Sequence, residues 1–150
     1  MRKATLTDID ELVSQRHSMF EDISHRTDEE HRVGDEGYRK WLKELTREKK
    51  LVCFLVTDPL KGKVAGGGCV WLRDVQPRPG ARLPKIPYLL SMYTQPEFRR
   101  LGVATAIVKE AIKWCRKNGY STMTLHASPM GRSVYEKLGF ERTWEMRIKF

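Results

Sequence analysis

One stretch of the sequence decides the fold: YLLSMYTQPEFRRLGVATAIVKEAIKWCRK, residues 88–117. Its first part, Tyr88 to Thr94, is mostly apolar and predicts a strand, and Gln95-Pro96 ends that strand because proline cannot continue a ladder. Apolar residues then recur at helical spacing from Gly102 to Lys117, and Asn118-Gly119 is a helix stop signal. The stretch therefore predicts a strand, a turn and a helix.

The turn between that strand and helix has the composition of an anion site. It includes Arg99-Arg100-Leu101-Gly102-Val103-Ala104, and the first turn of a helix exposes backbone N–H groups and the positive end of the dipole. Gly102 and Ala104 leave room for an anion beside these amides, and Arg99 and Arg100 add positive charge. The pattern predicts a pyrophosphate site, although a glycine that merely opens a helix beside solvated arginines fits the spacing equally well.

The segments on either side predict a mixed sheet flanked by helices. Before residues 88–117 we expect, in chain order, a strand over residues 1–6, a helix from Asp8 to Ile23, a helix from about Asp35 to Lys49, and strands over Leu51–Thr57 and Val64–Leu72. After the helix of residues 102–117 we expect a strand over Thr122–Ala127, a helix over Pro129–Leu138 and a closing strand over Glu141–Phe150. This order is typical of an α/β (or α+β) fold, and we expect a single domain over residues 1–150.

Two further segments carry unusual composition. Gly66-Gly67-Gly68 lies inside a predicted strand, and because no helix follows directly, close backbone packing or a bulge explains it better than a phosphate loop. The segment Gln76–Pro87 contains four prolines and predicts a long irregular loop, of the kind that is usually functional or mobile.

Composition excludes several classes of protein. The chain has 150 residues, of which 40% are hydrophobic and 31% charged, which fits one domain with a core. The longest apolar run, Leu51 to Val56, is too short to span a membrane, and no apolar segment follows the basic first residues as a secretory signal requires. Cys53, Cys69 and Cys115 are odd in number without C-x-x-C spacing, which argues against a disulfide scaffold and a cysteine zinc site. We therefore expect a reducing compartment and a cytoplasmic protein.

Charge is distributed unevenly along the chain. Residues 1–36 contain 5 basic and 10 acidic side chains, whereas residues 73–117 contain 10 basic and 3 acidic ones. The basic middle suits a polyanion such as nucleic acid, an anionic membrane or a phosphorylated cofactor. The acidic first quarter suits a cationic partner, or consists of solvated helix faces.

The second motif is LHASPMGRSVYEKLGF, residues 125–140. It predicts a strand that ends at Ser128-Pro129 and a short helix that carries Tyr135 before a Gly-Phe stop. By itself, a tyrosine on such a helix is most often a core residue with its hydroxyl at the rim.

Together the two motifs resemble the GNAT superfamily of acyl-CoA-dependent N-acetyltransferases. Arg99, Gly102 and Ala104 match its cofactor motif, and Tyr135 to Phe140 match its second motif. The resemblance implies a central, mostly antiparallel, splayed sheet flanked by about four helices. Residues 8–50 and 73–87, which would bind the acceptor, match the family only in the type of element.

The resemblance also implies roles for individual residues, with acetyl-CoA as cosubstrate. The main chain of Met92 and Thr94 would bind the pantetheine arm, and an N–H at a bulge at Met92 would polarise the thioester carbonyl. Tyr135 would protonate the departing thiolate as general acid. Ser128 stands where many relatives have Asn. The implied cofactor-binding set is Met92, Tyr93, Thr94, Arg99, Arg100, Leu101, Gly102, Val103, Ala104, Thr105 and Ser128.

The general base is not assigned, because residues 88–93 contain no carboxylate where some relatives have a Glu. Candidates are His126, Glu145, Glu21 and a water chain led by Ser91; a hydrogen-bonded structural histidine is an alternative for His126. Glu21 and Asp22 could also hold an acceptor ammonium group, or be solvated. The spacing of His17, His25 and His31 is not that of a metal site, and we predict none.

The leading hypothesis is therefore an enzyme that transfers acetyl from acetyl-CoA to a primary amine, with a small cationic amine favoured and residues 76–87 as a wall or lid. A nucleic-acid-binding module is the alternative, but the chain lacks aromatic interleaving and a helix-turn-helix pattern. A fold that binds acyl-CoA without catalysis is a third possibility. Many relatives pair through edge strands, so a homodimer is also considered.

Overall fold

A short strand, two consecutive helices and then three consecutive strands form the first two thirds of the chain in the computed structural model, which describes residues 1–77, 79–80 and 83–150. The described elements are β1 (Arg2–Lys3), α1 (Ile9–Ile23), α2 (Asp28–Arg47), β2 (Leu51–Thr57), β3 (Val64–Asp74), β4 (Lys85–Thr94), α3 (Val103–Lys117), β5 (Thr124–Leu125) and α4 (Arg132–Lys137). The strands form one sheet in chain order, antiparallel from β1 to β4, with β5 parallel to β4. The predicted α/β fold with a mostly antiparallel sheet is confirmed.

The sheet is covered on both faces. Side chains of α1 and α2 pack on one face, where Leu42 of α2 meets the strand layer that includes Leu55 of β2, and both leucines are fully buried. Side chains of α3 and partly buried residues of α4 pack on the other face, around Phe54 and Ile107. Because adjacent strand residues point to opposite faces, Phe54 of β2 packs in the layer with α3, and Leu55 packs in the layer with α1 and α2. This explains why β2 is a continuous apolar run.

The glycine triplet in β3 is explained by close packing, as predicted. A Cβ at Gly66 would lie 2.5 Å from the carbonyl oxygen of Tyr93 and 3.0 Å from Val103 at the start of α3. A Cβ at Gly68 would collide with Met92. The absence of side chains at these positions therefore lets both β4 and the first turn of α3 approach β3.

The helix predicted from Asp35 begins earlier than expected, at Asp28. Thr27 and Glu30 form a capping box, in which Glu30 N–H donates to Thr27 Oγ1 over 3.2 Å and Thr27 N–H donates to Glu30 over 2.8 Å. Arg32 then pairs with both Glu29 and Glu36. The first two turns are thus stabilised by charge pairs and a cap, which an analysis of apolar periodicity does not detect.

The predicted closing strand over Glu141–Phe150 is wrong for the described structure. Residues 141–150 belong to neither a strand nor a helix and are exposed throughout. The predicted strand over Thr122–Ala127 is reduced to Thr124–Leu125, and the helix predicted over Pro129–Leu138 to Arg132–Lys137. A two-residue edge strand offers almost no ladder on which a further strand could form.

The chain contains one disulfide, a possibility that the argument against a disulfide scaffold did not consider. Cys53 on β2 and Cys69 on β3 are directly opposite each other and form a disulfide. Cys115 remains a free, buried thiol on α3. Counting cysteines could not reveal the pair, because only the strand register brings residues 53 and 69 together. The disulfide also removes the argument from cysteine usage for a reducing compartment.

The proline-rich loop is shorter than predicted, because β4 begins at Lys85 and includes Pro87. Arg78, Ala81 and Arg82 of this loop lie outside the described residues. Within the described parts, Pro79 and Leu83 line a cavity of about 290 Å³ together with Tyr120. Over the same described ranges, none of the helices has both the length and the apolar character needed to cross a bilayer.

Candidate active site

The sheet opens between β4 and β5. Only Tyr88 and Leu89 of β4 pair with β5, opposite Thr124 and Leu125. From Leu90 to Thr94, β4 continues along β3 with no described strand on its other side. The resulting free edge presents unpaired main-chain groups, which an extended ligand segment can bind in the manner of an added strand.

A bulge interrupts β4 where this free edge begins. Leu90 is opposite Cys69 and Tyr93 is opposite Gly67, so Ser91 and Met92 together face the single residue Gly68. Ser91 has a φ of 51°, in the left-handed region. A bulge of this kind changes the direction of the local main-chain groups and is common beside active sites. The bulge that the family resemblance implies at Met92 is therefore present.

The turn after β4 forms a concave set of amides. Arg100 and Gly102 both have left-handed backbones, with φ of 62° and 80°, and α3 begins at Val103. Among the residues that the structure describes, no atom outside its immediate neighbours lies within 4 Å of a Cβ built at Gly102, so the glycine serves the backbone conformation and leaves space in front of the helix. The N–H groups of the first turn have no acceptor within the helix. The geometry and the dipole of a 15-residue helix suit an anion.

Arg99 and Asp22, predicted for different roles, contact each other. Arg99 Nη2 donates to Asp22 Oδ2 over 2.5 Å, and Arg99 Nε donates to the Thr94 carbonyl oxygen over 3.1 Å. The guanidinium also lies 5.7 Å from the centre of the Tyr93 ring. Arg99 thus connects the end of α1 to the end of β4 and shapes the turn, and the Asp22 carboxylate is already paired with a cation.

Tyr135 lies on α4 with its ring partly buried on the face of the sheet that α3 covers, as does Met92. Its ring meets Phe140 edge-on, with centres 5.8 Å apart, and closes over Gly131. Burial raises the pKa of the Tyr135 phenol above its ordinary value. Ser128 caps the turn before α4, where its Oγ accepts from the Gly131 N–H over 3.2 Å.

Sequence reasoning missed Tyr38, a residue of α2. The buried Tyr38 hydroxyl donates to Ser91 Oγ over 2.9 Å, next to the bulge. Burial raises the pKa of Tyr38, against the lowering effect of the Ser91 hydrogen bond and of Arg16, which stacks on the ring at 4.5 Å. No local sequence signal identifies this contact, because Tyr38 and Ser91 are 53 positions apart.

The other candidate bases lie at the rim of this region. The His126 ring follows β5, and its Nδ1 is 3.0 Å from the Tyr88 hydroxyl while its Nε2 is 2.9 Å from Arg147 Nη2. A hydrogen-bonded histidine is the alternative reading that the sequence left open, and both ring nitrogens do have partners. Glu145 is exposed in the segment of residues 141–150.

A polar cleft of about 480 Å³ lies between the end of α1 and the start of α2. His17 Nδ1 is 2.7 Å from an Asp35 oxygen, and His17 Nε2 is 3.6 Å from a Glu21 oxygen. His31 stacks beside His17 with ring centres 4.3 Å apart. The antiparallel packing of two helices creates this cluster, so spacing along one helix could not predict it. Among the described residues, no group of three or more potential ligands has the geometry to hold a metal ion.

Comparisons with known proteins agree with this architecture. The sequence profile of the acetyltransferase (GNAT) family matches residues 14–140. An uncharacterised N-acetyltransferase of Methanocaldococcus jannaschii is 29% identical over 107 residues; this alignment includes 69% of the present chain and 44% of that protein, so the chain spans less than half of its length.

Two solved structures resemble the whole fold. A predicted acetyltransferase from Clostridium acetobutylicum, solved with acetyl-CoA, has a TM-score of 0.87 and 25% identity, and the match covers 99% of this chain and 94% of that one. A GCN5-related N-acetyltransferase from Ralstonia eutropha has a TM-score of 0.88 and 22% identity, and the match covers 99% and 96% of the two chains.

Proposed function

Since the chain belongs to the acetyltransferase (GNAT) family, we propose that it transfers an acetyl group from acetyl-CoA to the primary amine of a small molecule, and that residues 1–150 act as one catalytic domain. The observation that carries the proposal is the continuous path from the bulge at Ser91–Met92, along the free edge of β4, to the amides at the start of α3. Acetyl-CoA has a thioester at one end, then an extended pantetheine arm, then a pyrophosphate. These three parts match, in order, the bulge, the free edge of β4 and the amides at the start of α3.

The residues present fit this ligand. The left-handed turn at Arg100 and Gly102 and the open space in front of Gly102 form a cradle for a pyrophosphate. Amides from Arg99 to Thr105 would hold its oxygens, and Arg100, an exposed cation, adds charge. Main-chain groups of Met92 and Thr94 would hold the pantetheine arm. The solved Clostridium relative, which contains acetyl-CoA, supports the same ligand.

Acetyl-CoA supplies an activated acyl group whose leaving group is a thiolate. The Met92 N–H, redirected by the bulge, would donate to the carbonyl oxygen as negative charge develops there. Tyr135 would donate its phenolic proton to the thiolate. Since burial raises the pKa of the Tyr135 phenol above its ordinary value, it favours the protonated form that a donor needs. The acceptor amine attacks directly, so no residue needs to act as a nucleophile.

The acceptor nitrogen must lose a proton, and we propose that this proton leaves by way of Ser91. Its hydroxyl is beside the bulge and accepts a hydrogen bond from Tyr38, which orients it. We assign to Ser91 the first position of a water chain that leads away from the amine, and place His126 and Glu145 second because of their positions at the rim.

The acceptor is proposed to be a small cationic amine. The cleft between α1 and α2 is lined by three carboxylates, those of Glu21, Asp28 and Asp35, against two guanidinium groups, those of Arg26 and Arg32. Glu21 can contact an ammonium group there, whereas Asp22 is paired with Arg99.

Thermal unfolding with and without acetyl-CoA tests the proposal, with ATP as a polyanion control. A ligand at about a thousand times its dissociation constant adds about 4 kcal/mol of stability, which raises the melting temperature of a domain of this size by on the order of 10 °C. We expect this rise with acetyl-CoA and not with ATP, followed by thiol release when a panel of diamines and amino sugars is added. An equal rise with ATP, or none with either, would contradict the proposal.

A further inference from the structure

A surface at the junction of β3, β4 and β5 carries positive charge without a matching carboxylate. The Arg73 guanidinium lies over two rings, 5.6 Å from the centre of Trp71 and 4.9 Å from the centre of Tyr88. Arg147 lies on the other side of Tyr88, beyond His126. Among the described residues, no Asp or Glu side chain forms an ion pair with either arginine. This surface therefore has two guanidinium groups available to an anion.

The aromatic rings hold the Arg73 guanidinium in a position from which it can donate. Trp71 and Tyr88 are half-buried, whereas Arg73 is exposed. A guanidinium over a ring keeps its N–H donors in a rigid planar fork, which matches the two oxygens of a carboxylate. Because the rings already restrict the side chain, little further freedom is lost when a ligand binds.

His126 determines where the Tyr88 hydroxyl can donate. Arg147 Nη2 is 2.9 Å from His126 Nε2, and since a guanidinium can only donate, Nε2 must accept. The hydrogen of the neutral ring is then assigned to Nδ1, which donates to the Tyr88 oxygen over 3.0 Å. The Tyr88 hydrogen has no acceptor in the part of the chain that the structure describes, so it can be donated to a ligand.

These donors lie near the bulge where we place the thioester. β4 and β5 are parallel with Leu89 opposite Leu125, so His126 lies one step further toward the bulge. The Tyr88 side chain contacts His126 and therefore leans toward Ser91. From Tyr88 to Ser91 the strand advances three residues, roughly 10 Å between Cα atoms. One small ligand can thus contact both these donors and the bulge.

We infer that the acceptor carries a carboxylate that binds Arg73 and Tyr88, so that the acceptor is an amino acid with its amine at the bulge. This inference rests on the proposed function and adds an anionic group to the amine named there. One guanidinium and one hydroxyl suit the two oxygens of a carboxylate better than the three oxygens of a phosphate. Fixing the carboxylate also fixes its separation from the amine, which selects among amines.

Paired acids and amides test the inference by binding alone. The probes are glycine, γ-aminobutyrate and ε-aminocaproate, each beside its primary amide. Ligand-observed NMR is recorded with the native chain alone and with CoA, which has no acetyl group to transfer. We expect at least one acid to bind about tenfold more tightly than its amide, the contribution of a hydrogen bond to a charged group. The inference fails if no acid is preferred to its amide.

Arg73→Gln should remove this preference, and Arg116→Gln is the matched control. Both changes remove one positive charge from an exposed side chain, but Arg116 is on α3, which packs on the opposite face of the sheet from Trp71. Both variants should keep the unfolding temperature of the native protein. Tyr88→Phe should lower the preference by a smaller factor. An equal loss in Arg73→Gln and Arg116→Gln would mean that net charge alone attracts the acid, and would overturn the inference.

Acetyl transfer is measured separately from binding. For the preferred acid, Arg73→Gln should raise KM by the factor by which binding weakens and leave kcat unchanged, as expected of a residue that binds substrate without reacting. Tighter binding of O-phosphoethanolamine than of every acid would overturn the assignment to a carboxylate. Binding of an acid that depends on Arg73, without its acetylation, would contradict the proposed activity and leave the carboxylate site standing.

Discussion

At the scale of single residues, Tyr135 provides the sharpest test of the proposed chemistry. Removing its hydroxyl should leave the half-buried ring in place against Phe140, so the variant Tyr135→Phe should bind acetyl-CoA as the native protein does. Loss of a general acid typically lowers the rate of the chemical step by about 10²- to 10⁴-fold. We expect kcat to fall by this factor, with the dissociation constant for acetyl-CoA, measured by calorimetry, unchanged.

Tyr120→Phe is the control for this change. The Tyr120 phenol also has a pKa raised by burial, and its ring stacks on Trp114 with centres 6.0 Å apart. However, Tyr120 lies before β5, on the cavity that Pro79 and Leu83 line. We expect Tyr120→Phe to retain kcat. Equal activity of the Tyr135→Phe variant and the native protein would remove Tyr135 from the mechanism without affecting the proposed acetyl-CoA site.

At this scale, the local turn could be predicted from the sequence, whereas contacts between distant residues could not. The turn that precedes α3 could be predicted because its residues are contiguous and form a helix start. The contacts of Arg99 with Asp22 and of Ser91 with Tyr38 could not, because their partners are 77 and 53 positions away. Such contacts depend on how α1 and α2 pack on the sheet, which no local pattern encodes.

At the scale of elements, the two ends of α3 offer a matched pair of glycines. Gly102 precedes the helix and Gly119 follows it; both have φ of 80° and open space where a Cβ would be. Alanine at either position incurs the cost of a left-handed backbone, about 1 kcal/mol, or 2–4 °C in melting temperature. We expect similar destabilisation from Gly102→Ala and Gly119→Ala, but weaker acetyl-CoA binding only from Gly102→Ala, measured by calorimetry. Equal affinities in both variants would argue that the start of α3 does not hold the pyrophosphate.

The pairing of β2 with β3 leads to a prediction about cysteine chemistry. The disulfide between Cys53 and Cys69 closes a loop with a sequence separation of 16, and a loop of this size contributes about 3 kcal/mol in the chain-entropy model. Alkylation in denaturant should therefore modify only Cys115 before reduction and all three cysteines after it. Reduction should lower the melting temperature by on the order of 10 °C. Three modified cysteines without reductant would show that the pair is a contact between thiols.

Element prediction succeeded where apolar periodicity is the physical cause of the element. β2 has the predicted bounds, and α3 begins one residue after the predicted start. The prediction failed where something other than apolar periodicity determines the element. The start of α2 depends on a cap and charge pairs. Residues 141–150 have the alternation of a strand but do not pair with another strand. Alternation indicates which face of a strand would be buried, but a strand also needs a partner.

At the scale of the whole molecule, a formal net charge of +9 acts on every anion that approaches. The proposed ligand carries several phosphate charges, so part of its affinity should come from long-range attraction and part from contacts at the start of α3. Salt separates the two contributions, because the screening length falls from about 10 Å at 0.1 M to about 3 Å at 1 M. We expect the dissociation constant for acetyl-CoA to rise with ionic strength.

Two variants that each remove one positive charge show where this attraction originates. Arg100 is exposed in the turn before α3, whereas Lys40 is exposed on α2, which packs on the opposite face of the sheet from α3. Calorimetry at low salt should show weaker binding for Arg100→Gln than for Lys40→Gln, and the difference should shrink at high salt because Arg100 is solvated. If the two variants bind equally at low salt, attraction arises from total charge alone. A difference that persists undiminished at high salt would instead mean that Arg100 makes a desolvated contact with the phosphates.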